Sequence, residues 1–246
     1  MADNSVEQLK AELDAQRPLA TRAIAALRTY YDIELTHTST AIEGNTLTAR
    51  ETAEVIEHGI TVGGKPLRDH LEVLDHQDAL DWVRELAERE TTLGEATVTE
   101  LHRRVVLRSR PDIAGVYSTM RRRIAGSAVV FPNPAKLPML MAAFGGWLTD
   151  AVPSPATAFD AHYRLVTIHP FADGNGRTAR LLMNLILLQA GYPPVAIRPV
   201  DRVTYLSSLE QAQVAGDSAA YQALLTGRLR DTLIEYLGVV REALPE

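Results

Sequence analysis

The sequence contains no cysteine, which removes disulfides, thiolate metal sites and cysteine nucleophiles together. That absence agrees with a reducing compartment. Basic charge is not in excess either. The formal charge is −6, which argues against broad binding to nucleic acid or anionic membrane. No apolar run can cross a bilayer; the longest, Leu181–Leu188, is interrupted by Asn184. The opening MADNSVEQLKAEL offers neither a basic n-region nor an apolar h-region, so no secretory signal is expected. Internal repeats, low-complexity tracts and linkers are missing as well. What remains is a soluble, cytoplasmic chain of 246 residues, 46% of them hydrophobic, long enough to bury a core without covalent staples.

The apolar spacing is helical along most of the chain. It predicts a helix over 5–31 and a shorter one over 32–43 that stops at Gly44-Asn45. Thr48 and Glu51 form a capping box for a helix over 49–58, followed by a loop over 59–66. Residues 67–90 read as a long amphipathic helix with Leu71, Leu74, Ala79, Leu80, Val83 and Leu86 along its stripe. Further helices are expected over 97–107, 136–147, 155–168, 177–190, 199–214 and 217–241, with Gly191-Tyr192-Pro193-Pro194 as a hard stop. Between them, Ile124, Val129, Val130 and Phe131 around Gly126-Ser127 read as a β-hairpin over 120–131. The fold class is all-α with one small hairpin.

The chemistry concentrates in His169-Pro170-Phe171-Ala172-Asp173-Gly174-Asn175-Gly176-Arg177-Thr178-Ala179-Arg180. Pro170 pushes His169 out of the α region and ends the preceding helix. Gly174-Asn175-Gly176 can adopt positive φ and turn successive N–H groups toward one point. The helix starting near Arg177 aims its positive end at the same point, which makes an anion nest suited to phosphate. Arg177 and Arg180 leave one face of that helix near its mouth and can fork around phosphate oxygens. Asp173 is a single hard carboxylate, the kind of partner Mg²⁺ takes together with phosphate and water. His169 can accept a proton from an incoming hydroxyl. No Gly-Lys-Ser/Thr follows the glycine turn, so this is not a Walker A loop.

At this level of detail the segment resembles the Fic domain signature HxFx(D/E)GNGRxxR at every fixed position. The resemblance extends over roughly residues 36–240, through Leu181-Leu182-Met183-Asn184, Gly191–Pro194 and Ala114-Gly115-x-Tyr117. Ser39 and Glu43-Gly44 match the inhibitory motif (S/T)xxxE(G/N) of the Fic subclass with an N-terminal inhibitory helix. The resemblance implies a helical Fic core over 61–246 with a flap over about 117–133. It also implies an N-terminal segment, 1–60, carrying the inhibitory helix over about 33–45. It implies transfer of AMP from ATP to a Ser, Thr or Tyr hydroxyl of a target protein docked on the flap, with automodification and pyrophosphate release. His169 then acts as general base and Asp173 as the Mg²⁺ ligand. Gly174, Asn175 and Gly176 cradle the α-phosphate, Arg177 and Arg180 hold the remaining phosphates, and Phe171 anchors the loop. In the Doc-type kinase branch a lysine stands at the place of Gly176, so glycine here favours nucleotidyl transfer. Glu43, paired with Arg180, implies autoinhibition.

The flap departs from the family pattern, with Ser118 in place of an arginine and with Arg121-Arg122-Arg123 before Ile124. The triplet reads as a solvated face, or as a preference for acidic targets. His70 and His76 lack an HExxH pattern and read as surface or satisfied polar positions, and His162 and Tyr163 as packing. Gln213 resembles an adenine neighbour. Removal of AMP by the same site, and a nucleotide-sensing interaction protein, are the alternative readings. Homo-oligomerisation is left open.

Overall fold

The structure is a computed structural model that describes residues 5–123 and 126–243. Among them are ten α-helices: α1 (Val6–Ala15), α2 (Thr21–Ile42), α3 (Ala49–His58), α4 (Leu67–Glu88), α5 (Glu95–Val106), α6 (Leu137–Asp150), α7 (Pro155–Ile168), α8 (Asn175–Gln189), α9 (Arg202–Ala215) and α10 (Ala219–Glu242). None is long and apolar enough to cross a membrane.

The starts follow from the caps. Thr48 Oγ1 accepts from Glu51 N at 3.2 Å while the Glu51 carboxylate accepts from Thr48 N at 2.7 Å, the expected capping box of α3. Ser5 and Gln8 form the same arrangement at α1. The expected boundary between two helices near residue 31 is corrected. The chain breaks at Pro18 instead, and α2 then runs unbroken over 22 residues because nothing between Thr21 and Ile42 is glycine or proline.

Helix α8 occupies the centre, packed by α7, α4, α5 and α2. Nearly every residue from Asn175 to Leu187 is buried, the polar Asn175, Arg177, Thr178, Arg180 and Asn184 included. Asn184, which interrupts that apolar run, grips the backbone of Val195 in both directions, at 2.8 and 3.1 Å, and so pins the chain leaving the Gly191–Pro194 stop. The N-terminal helices share this core: Val6, Leu9 and Leu13 of α1 and Leu27, Tyr31 and Leu35 of α2 belong to the same buried cluster.

Two further expectations change. The first half of α4 buries Asp69, His70, Glu72, Val73, Asp75 and His76, whereas Leu71 and Leu74 are only partly buried. That polar face is turned inward onto polar partners: Asp69 on Thr46, His70 on Val62, Glu72 on Asn45, Asp75 on Arg108 and Ser109, and His76 on Thr36. The hairpin expected over 120–131 is absent among the described residues, and Ile124 and Ala125 lie outside them. The only bridge there joins Tyr117 to Phe171. A lone two-stranded ribbon is marginal in water, and Glu210 of α9 takes the Ala128 N–H at 2.7 Å.

Candidate functional site

The loop between α7 and α8 is held by its own side chains. His169 caps α7 in the left-handed region, with φ +50° and ψ 56°, a conformation uncommon for a residue other than glycine. Gly174 opens α8 at φ +77°, and a Cβ there would meet Val106 Cγ1 at 2.9 Å, so glycine is required on both counts. Asn175 is buried and uses both ends of its amide on Phe171, accepting from Phe171 N and donating to Phe171 O, each at 2.9 Å. Its side chain braces the turn, and its backbone N–H opens α8. The N–H groups of Asn175, Gly176 and Arg177 open the helix, where no preceding carbonyl can serve them.

His102 on α5 was not foreseen, and it organises the loop from beneath. Its ring lies flat on Phe171, with centroids 3.6 Å apart and planes 1° apart. Its Nδ1 accepts from Gly115 N at 3.1 Å, which leaves Nε2–H to donate to the Asp173 carbonyl at 3.0 Å. Burial pushes its pKa down to about 4, so the tautomer stays neutral. The clamp thus fixes the backbone of Asp173 without touching its carboxylate.

His169 stacks under Phe131, with centroids 4.0 Å apart. Burial lowers its pKa to about 4, against the opposing pull of the Val166 carbonyl, Glu43 and Asp173. Its Nδ1 faces Val166 O at 3.4 Å, and a proton on Nδ1 leaves Nε2 free to accept one. At neutral pH this is an uncharged imidazole, competent as a base.

Asp173 sits among three arginines. Its Oδ1 accepts from Gly174 N at 2.6 Å and from Arg177 Nη2 at 3.2 Å, while Oδ2 accepts from Arg68 Nη2 at 2.8 Å. Arg110 Nη1 is 3.9 Å from Oδ2. Burial works to raise the carboxyl, but Arg177, the Gly174 N–H, Arg68 and Arg110 together hold it below the ordinary range. Arg177 is almost wholly buried, 3.6 Å from Glu72, and its Nε and Nη1 have no hydrogen-bond partner. Buried guanidinium donors left unpaired are costly, and phosphate oxygens match them.

Arg180 is buried and fully engaged. Its Nε donates to Ser39 Oγ at 3.0 Å, and Nη2 donates to Ser39 O and to Glu43 Oε1, each at 2.8 Å. The Tyr205 hydroxyl adjoins the guanidinium and continues to His162 Nε2 at 2.8 Å. Glu43 closes α2 just before Gly44, whose φ of +99° turns the chain away. A Cβ built on Gly176 would lie 2.3 Å from Glu43 Oε1 and 2.9 Å from Arg180 Nη1. The Glu43 carboxylate therefore rests on the mouth of α8, over the nest itself. Any side chain at 176 would shift the Glu43 carboxylate and the Arg180 Nη1 from their present places.

The structure thus gathers Ser39, Glu43, His169, Asp173, Gly174, Asn175, Gly176, Arg177 and Arg180 around one helix end. The sequence reading missed Arg68, Glu72 and His102; for the two on α4 the signal was a helical face of polar residues, Asp69, Glu72 and His76, leading into the stripe Leu80 and Val83, whereas His102 on α5 had no such signal. His70 and His76 are buried rather than on the surface. His70 Nε2 accepts from Val62 N at 2.8 Å, and His76 Nδ1 meets Thr36 Oγ1 at 3.0 Å. His162 and Tyr163 pack as expected, with Tyr163 also donating to Ala212 O at 3.0 Å. Gln213 donates to Thr167 Oγ1 at 3.1 Å, two residues before His169. Of the arginine triplet, Arg121 and Arg123 are exposed, whereas Arg122 turns inward and its Nε donates to Ser118 at 3.0 Å.

Known proteins carry the same arrangement of chain. The sequence profile of the Fic/DOC family matches residues 92–187. Over 179 residues the chain is 42% identical to a protein adenylyltransferase Fic of Nematostella vectensis, covering 71% of this chain and 42% of that one. A protein adenylyltransferase Fic of Drosophila willistoni is 35% identical over 242 residues, 94% of this chain and 48% of that one. The chain therefore spans less than half the length of these two relatives. Among solved structures, Fic-1 of C. elegans is similar with a TM-score of 0.87 and 31% identity, over 97% of this chain and 72% of that one. A Fic domain containing signaling protein from Bacteroides thetaiotaomicron has a TM-score of 0.87 and 26% identity, over 99% and 100% of the two chains.

Proposed function

The chain belongs to the Fic/DOC family, and we propose that it transfers AMP from ATP to a hydroxyl of a target protein, with pyrophosphate as the other product. The observation that carries this reading is the neutral imidazole of His169 beside an anion nest whose third residue is glycine, with the Asp173 carboxylate at its edge. In the step proposed, the acceptor hydroxyl oxygen bonds to the α-phosphorus as the bond to the bridging oxygen of pyrophosphate breaks. The hydroxyl proton passes to Nε2 of His169. The amides of Asn175, Gly176 and Arg177 neutralise the α-phosphate, and Arg177 and Arg180 hold the phosphates that leave. Positioning and charge neutralisation of this kind supply most of the acceleration in phosphoryl-type transfers.

The donor set fits a magnesium nucleotide. Asp173 is one carboxylate at the edge of the nest, and the Nε of the buried Arg177 has no hydrogen-bond partner, while its Nη1 faces the Glu72 carboxylate at 3.6 Å. No cluster of three or more His, Asp or Glu capable of holding a metal exists among the described residues, so a cation on Asp173 would be completed by phosphate and water. Bound there, Mg²⁺ would neutralise charge on the departing pyrophosphate.

Glu43 gives the reading its second part. Its carboxylate occupies Arg180 and the helix mouth together, which supports reading it as an inhibitory latch. The target segment docks on the flap over about 117–133, beside His169, and the protein is itself an acceptor. The cysteine-free composition suits a reducing cytoplasm. The test is the fate of label: α-³²P from ATP goes to protein, and γ-³²P does not.

A further inference from the structure

Of the two oxygens of Asp173, only one is open to a newcomer. Oδ1 is used by the loop itself, through Gly174 N and Arg177 Nη2. Oδ2 is the face a metal ion would have to take, and the Arg68 guanidinium sits on it at 2.8 Å. Arg68 is the second residue of α4, with its side chain 51% exposed, so nothing packs it in place. A second hold keeps it close: its Nε donates to Oε1 of the buried Glu72 at 3.0 Å. Arg110 cannot do the same work. It is 3.9 Å from Oδ2 and is spent on Asp112 through two bonds of 3.1 Å.

We propose that Arg68 is a removable stand-in for the divalent cation. It neutralises Asp173 Oδ2 in the empty site and swings off, pivoting on Glu72, when metal arrives with the nucleotide. This rests on the reading of Asp173 as the metal-bearing carboxylate. The physical reason is that Asp173 is part-buried beside the nest, where an uncompensated carboxylate costs more than it does in water. A half-exposed arginine lowers that cost and can still be displaced, since an ion pair of this exposure is weak. The same pair must be broken for a metal to bind, so Arg68 raises the metal concentration the site requires. Arg177 is no alternative, because it is buried and cannot leave.

The test measures ATP binding by calorimetry at graded free Mg²⁺. The protein carries Glu43→Gly to open the site and His169→Ala to prevent turnover. Arg68→Gln should lower the half-saturating Mg²⁺ by about two- to fivefold, the ratio that matches a partly exposed ion pair. Arg68→Lys, which keeps a cation within reach of Oδ2, should stay near the parent value. A glutamine variant with the same or a higher half-saturating Mg²⁺ would overturn the proposal while leaving the function of the site untouched. If ATP binding to the parent ignores Mg²⁺ altogether, the metal role of Asp173 falls and this proposal falls with it. The label experiment would still decide the direction of transfer.

Discussion

Replacing Glu43 with glycine removes a carboxylate that does two things at once. Its Oε1 is 2.8 Å from Arg180 Nη2, and it lies where a substituent on Gly176 would be, at the mouth of α8. Arg180 is 5% exposed and Glu43 37% exposed, so one partner is desolvated and the other is partly screened. A charge-assisted hydrogen bond is worth about 1.5–3 kcal/mol, and partial exposure places this one near the lower end, about 1–2 kcal/mol. That shifts the competition between carboxylate and phosphate for Arg180 by a factor of about 5–30. Clearing the helix mouth adds to the same side. Arg180 stays anchored on Ser39 through two bonds, and Glu43 has φ −85°, open to any residue, so the fold should lose little. Intact mass after incubation with MgATP should show AMP added to the Glu43→Gly protein at least about tenfold faster than to wild type. Equal, negligible labelling of both proteins, with ATP bound to the variant, would refute the latch.

Three further outcomes follow from the same geometry. His169→Ala in the Glu43→Gly protein should abolish transfer yet keep ATP affinity within a few-fold, because the amides and arginines hold the phosphates; calorimetry beside a transfer assay separates the two. His102→Ala removes the ring beneath Phe171 and the donor to Asp173 O, and should cost about 1–3 kcal/mol of stability by urea unfolding. It should also blunt Mg²⁺-dependent ATP binding, and unchanged stability would count against the clamp. Burial lowers His76 and His162 to about 3 and His102 and His169 to about 4, all below the ordinary 6.5. A depressed folded pKa means stability that is complete above pH 6.5 and lost as pH falls toward 4, about 2 kcal/mol per histidine at pH 5. Urea unfolding at pH 7.5 and pH 5 should differ by several kcal/mol, and NMR should show the His169 ring neutral at pH 6; a flat profile would contradict this.

Local signals carried most of the fold. The Thr48–Glu51 box, the Gly191–Pro194 stop and the apolar run of α8 after Arg180 read directly, because each depends on residues within one or two turns. The path of α2 did not: it continues through residue 31 because it lies between α4, α8 and α10, and tertiary packing overrides the weak end signals there. The hairpin failed because alternating apolar residues need a partner strand, and Glu210 of a distant helix holds the Ala128 amide instead. In the site, the contiguous segment His169–Arg180 was legible because one turn and one helix end hold all its groups. Arg68, Glu72 and His102 were not, since they arrive from α4 and α5, 71 residues before Asp173 in the case of His102. The buried polar face of α4 hinted at Arg68 and Glu72, and nothing local hinted at His102.

The reaction itself is tested most directly by following the two ends of ATP separately. Gly176 carries no side chain into the space at the mouth of α8, where Glu43 now lies. The α-phosphate is expected in that nest, beside His169. With purified Glu43→Gly protein and Mg²⁺, α-³²P-ATP should leave its label on protein and γ-³²P-ATP should leave none, its label appearing as pyrophosphate. Label carried to protein from the γ-phosphate alone would mean that the nucleotide lies reversed and that the site is a kinase.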